Sequence, residues 1–351
     1  MQKPKSVFRN IAIVSLLIFV LFIYKPNEPE LITVYGSMHS KSLAGSCRYE
    51  SPVRDYTIYL PSDYDKSNQR YPTLYVLHGY GNDHRTGLWF KALFELAINE
   101  KIIPPMLVVM PNSRTQFGGS FYSNSTGGGL WADYIAKDLV EHIDRHYRSI
   151  PDRNSRGLTG HSMGGFGVIK LAMLFPDVFG AAYAMSPGIL NWAEELVPEH
   201  PAFKRIYNAK TIDDLGYDAY NLGFLALGRA FSANAGKPPF YCDVPVSYPD
   251  NVFTVDSGVI KVWNNQLPGN MLQKYHGALK RLNAFGMEWG SHDDRLHIPP
   301  TCRAFSNTLA QFGVPHLSCE FDGGHSDRLA GKNGRIYQYM LPFFGRYLKP
   351  E

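Results

Sequence analysis

The chain has 351 residues, 44% of them apolar and 14% aromatic, which supplies a large core and excludes global disorder. A net charge of +4 from 35 basic and 31 acidic residues is too balanced for a nucleic-acid partner, and no basic run is interleaved with aromatics. Cys47, Cys242, Cys302 and Cys319 show no C-x-x-C spacing, which argues against a zinc site and leaves one or two disulfides open if the chain works outside the cytosol.

Residues 1–30 differ in kind from the rest. Lys3, Lys5 and Arg9 precede an apolar run from Ile11 to Tyr24, which Lys25-Pro26 closes. That run has the length of a signal-peptide apolar region, and at ~1.5 Å per residue it is short of a ~30 Å bilayer core. No small-x-small cleavage site follows directly, and no cysteine sits close behind for lipid attachment. The expectation is an uncleaved signal anchor, with its positive end in the cytosol and the folded part on the periplasmic or secreted side. A cleaved signal peptide is the alternative. Residues 31–46 read as a linker, and 47–351 as the folded domain.

Asp55 to Leu60 alternates and is β-rich, and Pro61 stops it. Tyr71 to Leu77 and Met106 to Met110 are short apolar runs of buried-strand type, with a helix between them over Leu93 to Ile98. A Gly-, Ser- and Asn-rich loop spans Gln116 to Gly129 and contains the glycosylation sequon Asn124-Ser125-Thr126. Trp131, Ile135, Leu139, Ile143 and Tyr147 recur every four residues, the pattern of an amphipathic helix lying on a sheet. A strand over Asn154 to Thr159, a helix over Phe166 to Leu174 and a strand over Gly180 to Met185 follow. Strands alternating with helices predict an α/β fold with a mainly parallel sheet covered on both faces. The alternation lapses over 189–269, which reads as a lid-like insertion beyond the strand ends, where such sheets bind ligands. It resumes with helix Met271 to Leu282, strand Ala284 to Trp289, helix Pro300 to Phe312, strand His316 to Phe321 and a helix near Ile336 to Tyr347.

Chemistry concentrates at Gly160-His161-Ser162-Met163-Gly164-Gly165, the chain's one G-x-S-x-G match. A serine between glycines at a strand-to-helix corner is a nucleophile elbow: small neighbours permit the tight turn, and the next N–H points at a developing oxyanion. A serine hydroxyl needs a base. His325, in the loop Asp322-Gly323-Gly324-His325 after the last predicted strand, is the best placed; His316 lies at that strand's other end. The acid belongs between Ser162 and His325 in chain order. Asp293 and Asp294 follow the strand ending at Trp289, and Asp293, 32 residues before the histidine, is preferred. Its role would be to hold the imidazole tautomer and stabilise the imidazolium. Asp322 is too near His325 in the chain. His292 and His297 have no metal-ligand spacing, so neither a metal nor a cofactor is expected. The oxyanion donors would be the N–H of Met163, which comes with the elbow, and of Tyr80 in His78-Gly79-Tyr80-Gly81.

These residues resemble the esterase D-like serine esterases, a family that includes feruloyl and acetylxylan esterases, S-formylglutathione hydrolases, enterobactin-type esterases and mycolyltransferases. The resemblance rests on Tyr59-Leu60-Pro61, Leu77-His78-Gly79-Tyr80-Gly81, Gly160 to Gly165, Gly290-Ser291-His292-Asp293 and Gly323-Gly324-His325, spread over roughly residues 48 to 348. It implies an α/β-hydrolase fold, a Ser162, Asp293, His325 triad, and Tyr80 and Met163 as oxyanion donors. The long insertion after Gly188 is a departure, so substrates do not carry over. The anchor argues against a cytosolic S-formylglutathione hydrolase.

The expectation is a serine carboxylic-ester hydrolase that acts on a small-molecule or glycan-linked ester through an acyl-enzyme. Two alternatives stand beside it: acyl transfer by the same triad to a sugar or lipid hydroxyl, and an inactive hydrolase fold used as a binding module. Trp192, Phe203, Phe224, Phe240 and Tyr241 in the insertion read first as its own small core and second as pocket lining.

Overall fold

The computed structural model describes residues 30–47 and 49–351. All of the segment read as an anchor except Glu30 lies outside them. Among the described residues, no helix is long and apolar enough to cross a membrane.

One sheet of eight strands organises the chain: β1 (Ile32–His39), β2 (Val53–Leu60), β3 (Thr73–Leu77), β4 (Leu107–Pro111), β5 (Arg156–His161), β6 (Ala181–Met185), β7 (Ala284–Gly290) and β8 (Leu317–Phe321). Their spatial order is β1-β2-β4-β3-β5-β6-β7-β8. β2 runs antiparallel to both β1 and β4, and every pairing from β4 through to β8 is parallel. The helices are α1 (Lys91–Asn99), α2 (a helical run over 131–146), α3 (Met163–Leu174), α4 (Pro201–Asn208), α5 (Ala219–Ser232), α6 (Ser257–Asn264), α7 (Pro268–Leu279), α8 (Ile298–Gln311) and α9 (Leu341–Tyr347). Wider π-helical turns occupy Tyr134–Leu139 within α2 and Ile336–Met340 before α9.

The apolar runs of the central strands follow from burial on both faces. Along β4, Leu107 and Val109 join the core under α2, α3, α7 and α8, while Val108 and Met110 join the one under α1 and α9. α3 is buried almost all round, Lys170 included. The Lys170 ammonium donates to Ser123 Oγ at 2.7 Å and Gln266 Oε1 at 2.6 Å, and burial lowers its pKa to about 7. It thereby ties the helix after the nucleophile to the 116–129 loop and to the insertion.

One sequence reading changes. The stretch read as a linker over 31–46 contains β1, paired with β2 along its whole length. Ile32, Val34 and Met38 do alternate, but Gly36 interrupts the pattern, because a Cβ there would lie 2.3 Å from the Tyr56 ring. Within the loop over 116–129, Phe117, Phe121 and Tyr122 are buried. Tyr122 lies against Gly167, where a Cβ would come within 2.4 Å of its ring, and Phe121 meets Phe166 edge-on at 5.7 Å. The sequon asparagine is also engaged. Asn124 Oδ1 accepts from the N–H of Ala132 and Asp133, and its Nδ2 donates to Asp133 Oδ1, so this side chain starts α2. All four cysteines are free thiols.

The 189–269 stretch holds α4, α5, α6 and a two-stranded ribbon, Val246–Ser247 with Thr254–Val255. Its aromatics form mainly its own core. Trp192 stacks on Trp263 with ring centres 6.0 Å apart, and Phe203 on Phe224 at 4.2 Å. Of the five aromatics weighed as pocket lining, Phe224 alone reaches the cavity described next.

Candidate active site

β5 ends at His161 and α3 begins at Met163, so Ser162 makes the corner alone. It sits at φ 60°, ψ −118°, a costly conformation for a residue with a side chain. The neighbouring glycines permit it. A Cβ on Gly160 would lie 2.7 Å from the Gly164 carbonyl carbon, and one on Gly164 would lie 2.2 Å from Leu77 O. The ends of β3 and β5 and the start of α3 therefore touch through backbone. Ser162 N–H donates to Met185 O (3.0 Å), and Ser162 O accepts from Gly188 N–H (2.9 Å), which fixes the corner against β6.

Two N–H groups near the corner, those of Met163 and Tyr80, have no acceptor among the described residues. A Cβ on Gly79 would stand 3.7 Å from Ser162 Cβ, so the turn carrying Tyr80 lies directly beside Ser162. His78 shapes that turn. It is buried, its Nδ1–H donates to Gly79 O (2.9 Å), and its Nε2 accepts from Ser113 N–H (2.9 Å). Burial lowers its pKa to about 4, which keeps it neutral and the turn unchanged at working pH. The Tyr80 hydroxyl donates to Phe117 O at 2.6 Å.

His325, in the loop after β8, and Asp293, in the loop after β7, meet with Nδ1 2.8 Å from Asp293 Oδ2. The Asp293 side chain is fully buried, and its Oδ1 accepts from Arg295 N–H (2.8 Å). Asp294 is exposed. The parallel register of β7 and β8 sets this meeting. Beyond the strands, Ser291 N–H donates to Phe321 O (2.8 Å) and His292 N–H to Gly323 O (3.0 Å). Gly290 and Gly323 approach so closely that a Cβ on Gly290 would lie 2.2 Å from Gly323 O. His316 bonds Ser306 away from the site, and exposed His292 lies 3.1 Å from Asp322.

Sequence reasoning missed the groups behind His325. Its carbonyl accepts from His161 Nε2 (2.9 Å), Ser186 Oγ (3.2 Å) and Arg335 Nη2 (3.1 Å). Arg335 is itself buried, paired with Glu288 Oε1 at 2.7 Å, and its Nε donates to Asp327 O (2.9 Å). Burial pushes the Glu288 carboxyl up; Arg335 and the Tyr183 hydroxyl, 3.0 Å from Oε2, oppose that. Burial also lowers the His161 pKa to about 3, which leaves a neutral ring with Nε2–H as donor. An apolar-strand pattern cannot foretell Glu288, since its partner lies 47 residues on. The only signal was a carboxylate inside the buried strand Ala284 to Trp289.

Ser162, Met163, Tyr80 and His325 line one cavity of about 310 Å³. Phe121 and the insertion residues Leu196, Tyr220, Phe224 and Leu227 form part of its wall. The insertion therefore supplies part of the wall of the cavity that Ser162 lines.

This strand order, with a serine corner between β5 and α3 and a histidine after β8 facing an acid after β7, defines the α/β-hydrolase fold. A ferulic acid esterase superposes with a TM-score of 0.59 at 20% identity, over 91% of this chain and 99% of that one. An S-formylglutathione hydrolase from Agrobacterium tumefaciens does so at 0.57 and 15% identity, over 93% and 99%. A family model described as a putative esterase matches residues 52–217, a stretch that includes Tyr80 and Ser162 and ends before Asp293 and His325. Esterase Rv1288 of Mycobacterium tuberculosis is 32% identical over 276 residues, covering 76% of this chain and 51% of that protein. The chain thus spans about half the length of that relative. The S-formylglutathione hydrolase of Paracoccus denitrificans is 25% identical over 186 residues, covering 46% of this chain and 65% of that protein. The chain is thus similar to esterases of this kind over residues 52–217 and, at 32% identity, over 276 residues.

Proposed function

We propose that the chain is a serine carboxylic-ester hydrolase whose reaction runs through Ser162, His325 and Asp293. The observation that carries this reading is the Asp293–His325 contact of 2.8 Å, with the histidine sharing one cavity with the strained Ser162 corner. His325 takes the Ser162 proton as Oγ attacks the ester carbonyl. Asp293, desolvated and bonded to Nδ1, holds the other nitrogen toward the serine and stabilises the imidazolium. The N–H groups of Met163 and Tyr80 receive the oxyanion. Collapse expels the alcohol with the proton from His325 and leaves an ester on Ser162. Water, deprotonated by His325, then attacks that ester, and as the acyl–Oγ bond breaks His325 returns the proton to Ser162 Oγ and the carboxylic acid leaves.

Changing Ser162 to Ala is expected to lower kcat on short p-nitrophenyl esters by about 10⁴-fold or more and to abolish fluorophosphonate labelling. Retained turnover would refute the reading. We also propose that the chain is exported and held at the membrane by its N-terminal segment; recovery of the protein in the soluble cytosolic fraction would refute it.

A further inference from the structure

The side of the cavity under the insertion carries polar groups that the ester chemistry leaves unused. They are Tyr220 from α5, Arg295 from the loop after Asp293, and His297 at the start of α8. The wall around them is apolar: Leu196, Phe224, Leu227 and Ile298. Among the described residues, no aspartate or glutamate lines the cavity, and Arg295 is its one permanent charge.

Arg295 forms no ion pair among the described residues; its guanidinium lies beside the Tyr220 hydroxyl. His297 is differently placed. Its Nδ1 is 2.7 Å from Glu195 Oε1, and both side chains are nearly buried, at 7% and 15% exposure. Burial alone would raise the Glu195 carboxyl, but hydrogen bonds from His297 and from backbone N–H groups leave it below its usual value. A carboxylate on Nδ1 makes that nitrogen the protonated one and leaves Nε2 without a partner among the described residues. Glu195 would also stabilise the imidazolium if an incoming group shares its proton with Nε2. A tyrosine hydroxyl, an unpaired guanidinium and a carboxylate-backed imidazole thus face one small space together.

We propose that Arg295, Tyr220 and His297 form a carboxylate-recognition subsite, so that the preferred ester carries a carboxylate a few bonds from its scissile carbonyl. This deepens the serine-hydrolase reading and rests on it. A planar guanidinium takes a carboxylate through paired hydrogen bonds, and Arg295, exposed to solvent, has no acidic partner among the described residues for an incoming carboxylate to displace. At about 310 Å³ the cavity lies at the small end of ligand sites, which favours short acids over long acyl chains.

Two substrate pairs test the proposal. Monomethyl glutarate against methyl butyrate puts the charge on the acyl side; acetoxyacetate against ethyl acetate puts it on the alcohol side. At least one carboxylated member should show kcat/KM about tenfold or more above its neutral partner, the effect of one charge-assisted hydrogen bond. Arg295→Gln should bring that ratio to about one or below. Neutral esters preferred in both pairs, or a ratio unmoved by Arg295→Gln, would overturn it. If no ester of either pair turns over, the hydrolase reading fails, and the subsite is judged by calorimetry of glutarate on the Ser162→Ala protein. Binding that Arg295→Gln abolishes supports the subsite; no binding at millimolar glutarate overturns it.

Discussion

The two halves of the candidate site are held in different ways. The Ser162 corner is set by the glycines beside it: Gly160 and Gly164 let backbone touch backbone, Gly164 against Leu77 O of β3, and Ser162 alone joins β5 to α3 at a positive φ. The base loop owes its position to distant residues. His325 O is held by donors from β5, from the turn after β6 and from the segment before α9, at sequence separations of 164, 139 and 10. Local packing of this kind fails abruptly, because a backbone contact cannot give way. A shared set of donors loses function in steps, unless the residue removed also leaves a buried charge behind.

Arg335 is that exception, and it gives the largest expected effect. Arg335→Met removes a donor from His325 and leaves the Glu288 carboxyl, whose side chain is 1% exposed, without its cation. Stripping one partner from a buried pair costs about 3–5 kcal/mol. Denaturant midpoints should fall accordingly, and kcat should fall with them in the protein that remains folded. A double variant, Arg335→Met with Glu288→Gln, should recover a large part of the stability and little of kcat. Equal recovery of both would show that Arg335 serves the fold and not the histidine.

Gly164→Ala tests the other half. The new methyl would lie 2.2 Å from Leu77 O, a backbone atom that can move only if β3 moves. Overpacking of this sort costs about 1–3 kcal/mol. Because the displaced elements carry both Ser162 and the Met163 N–H, the loss in kcat should reach about 10²-fold, the usual consequence of a misplacement near 1 Å. A protein with normal melting and near-normal kcat would contradict the view of the corner as rigid.

The same contrast explains how far the sequence could be read. The corner was legible because its glycines and serine are adjacent in the chain, and the meeting of Asp293 with His325 because loops at neighbouring strand ends lie together. The parallel sheet was legible from apolar runs that burial on two faces imposes. β1 was lost because Gly36, needed for contact with Tyr56, breaks its alternation. The burial of Phe117, Phe121 and Tyr122 was not legible, because an irregular loop carries no apolar period. The Glu288–Arg335 pair and the Glu195–His297 contact join residues 47 and 102 positions apart, and nothing in local sequence marks either partner.

The mildest test concerns acid. His78 and His161 are held neutral, with pKa values near 4 and 3 against an ordinary 6.5. Once pH drops below about 6.5 the unfolded chain binds protons that the folded one refuses. Stability is therefore lost progressively as pH falls from there, and this loss levels off only below the folded values. His161→Gln removes one such site while keeping an N–H that can reach His325 O. The urea midpoint of the variant should fall less steeply than that of the wild type between pH 6 and pH 4.5, by at most about 1.4 kcal/mol per pH unit. Its kcat at pH 7.5 should drop only several-fold, since Ser186 and Arg335 still hold the carbonyl. An identical pH slope in both proteins would mean that His161 is protonated in the folded state, and the neutral donor assigned to it would have to be abandoned.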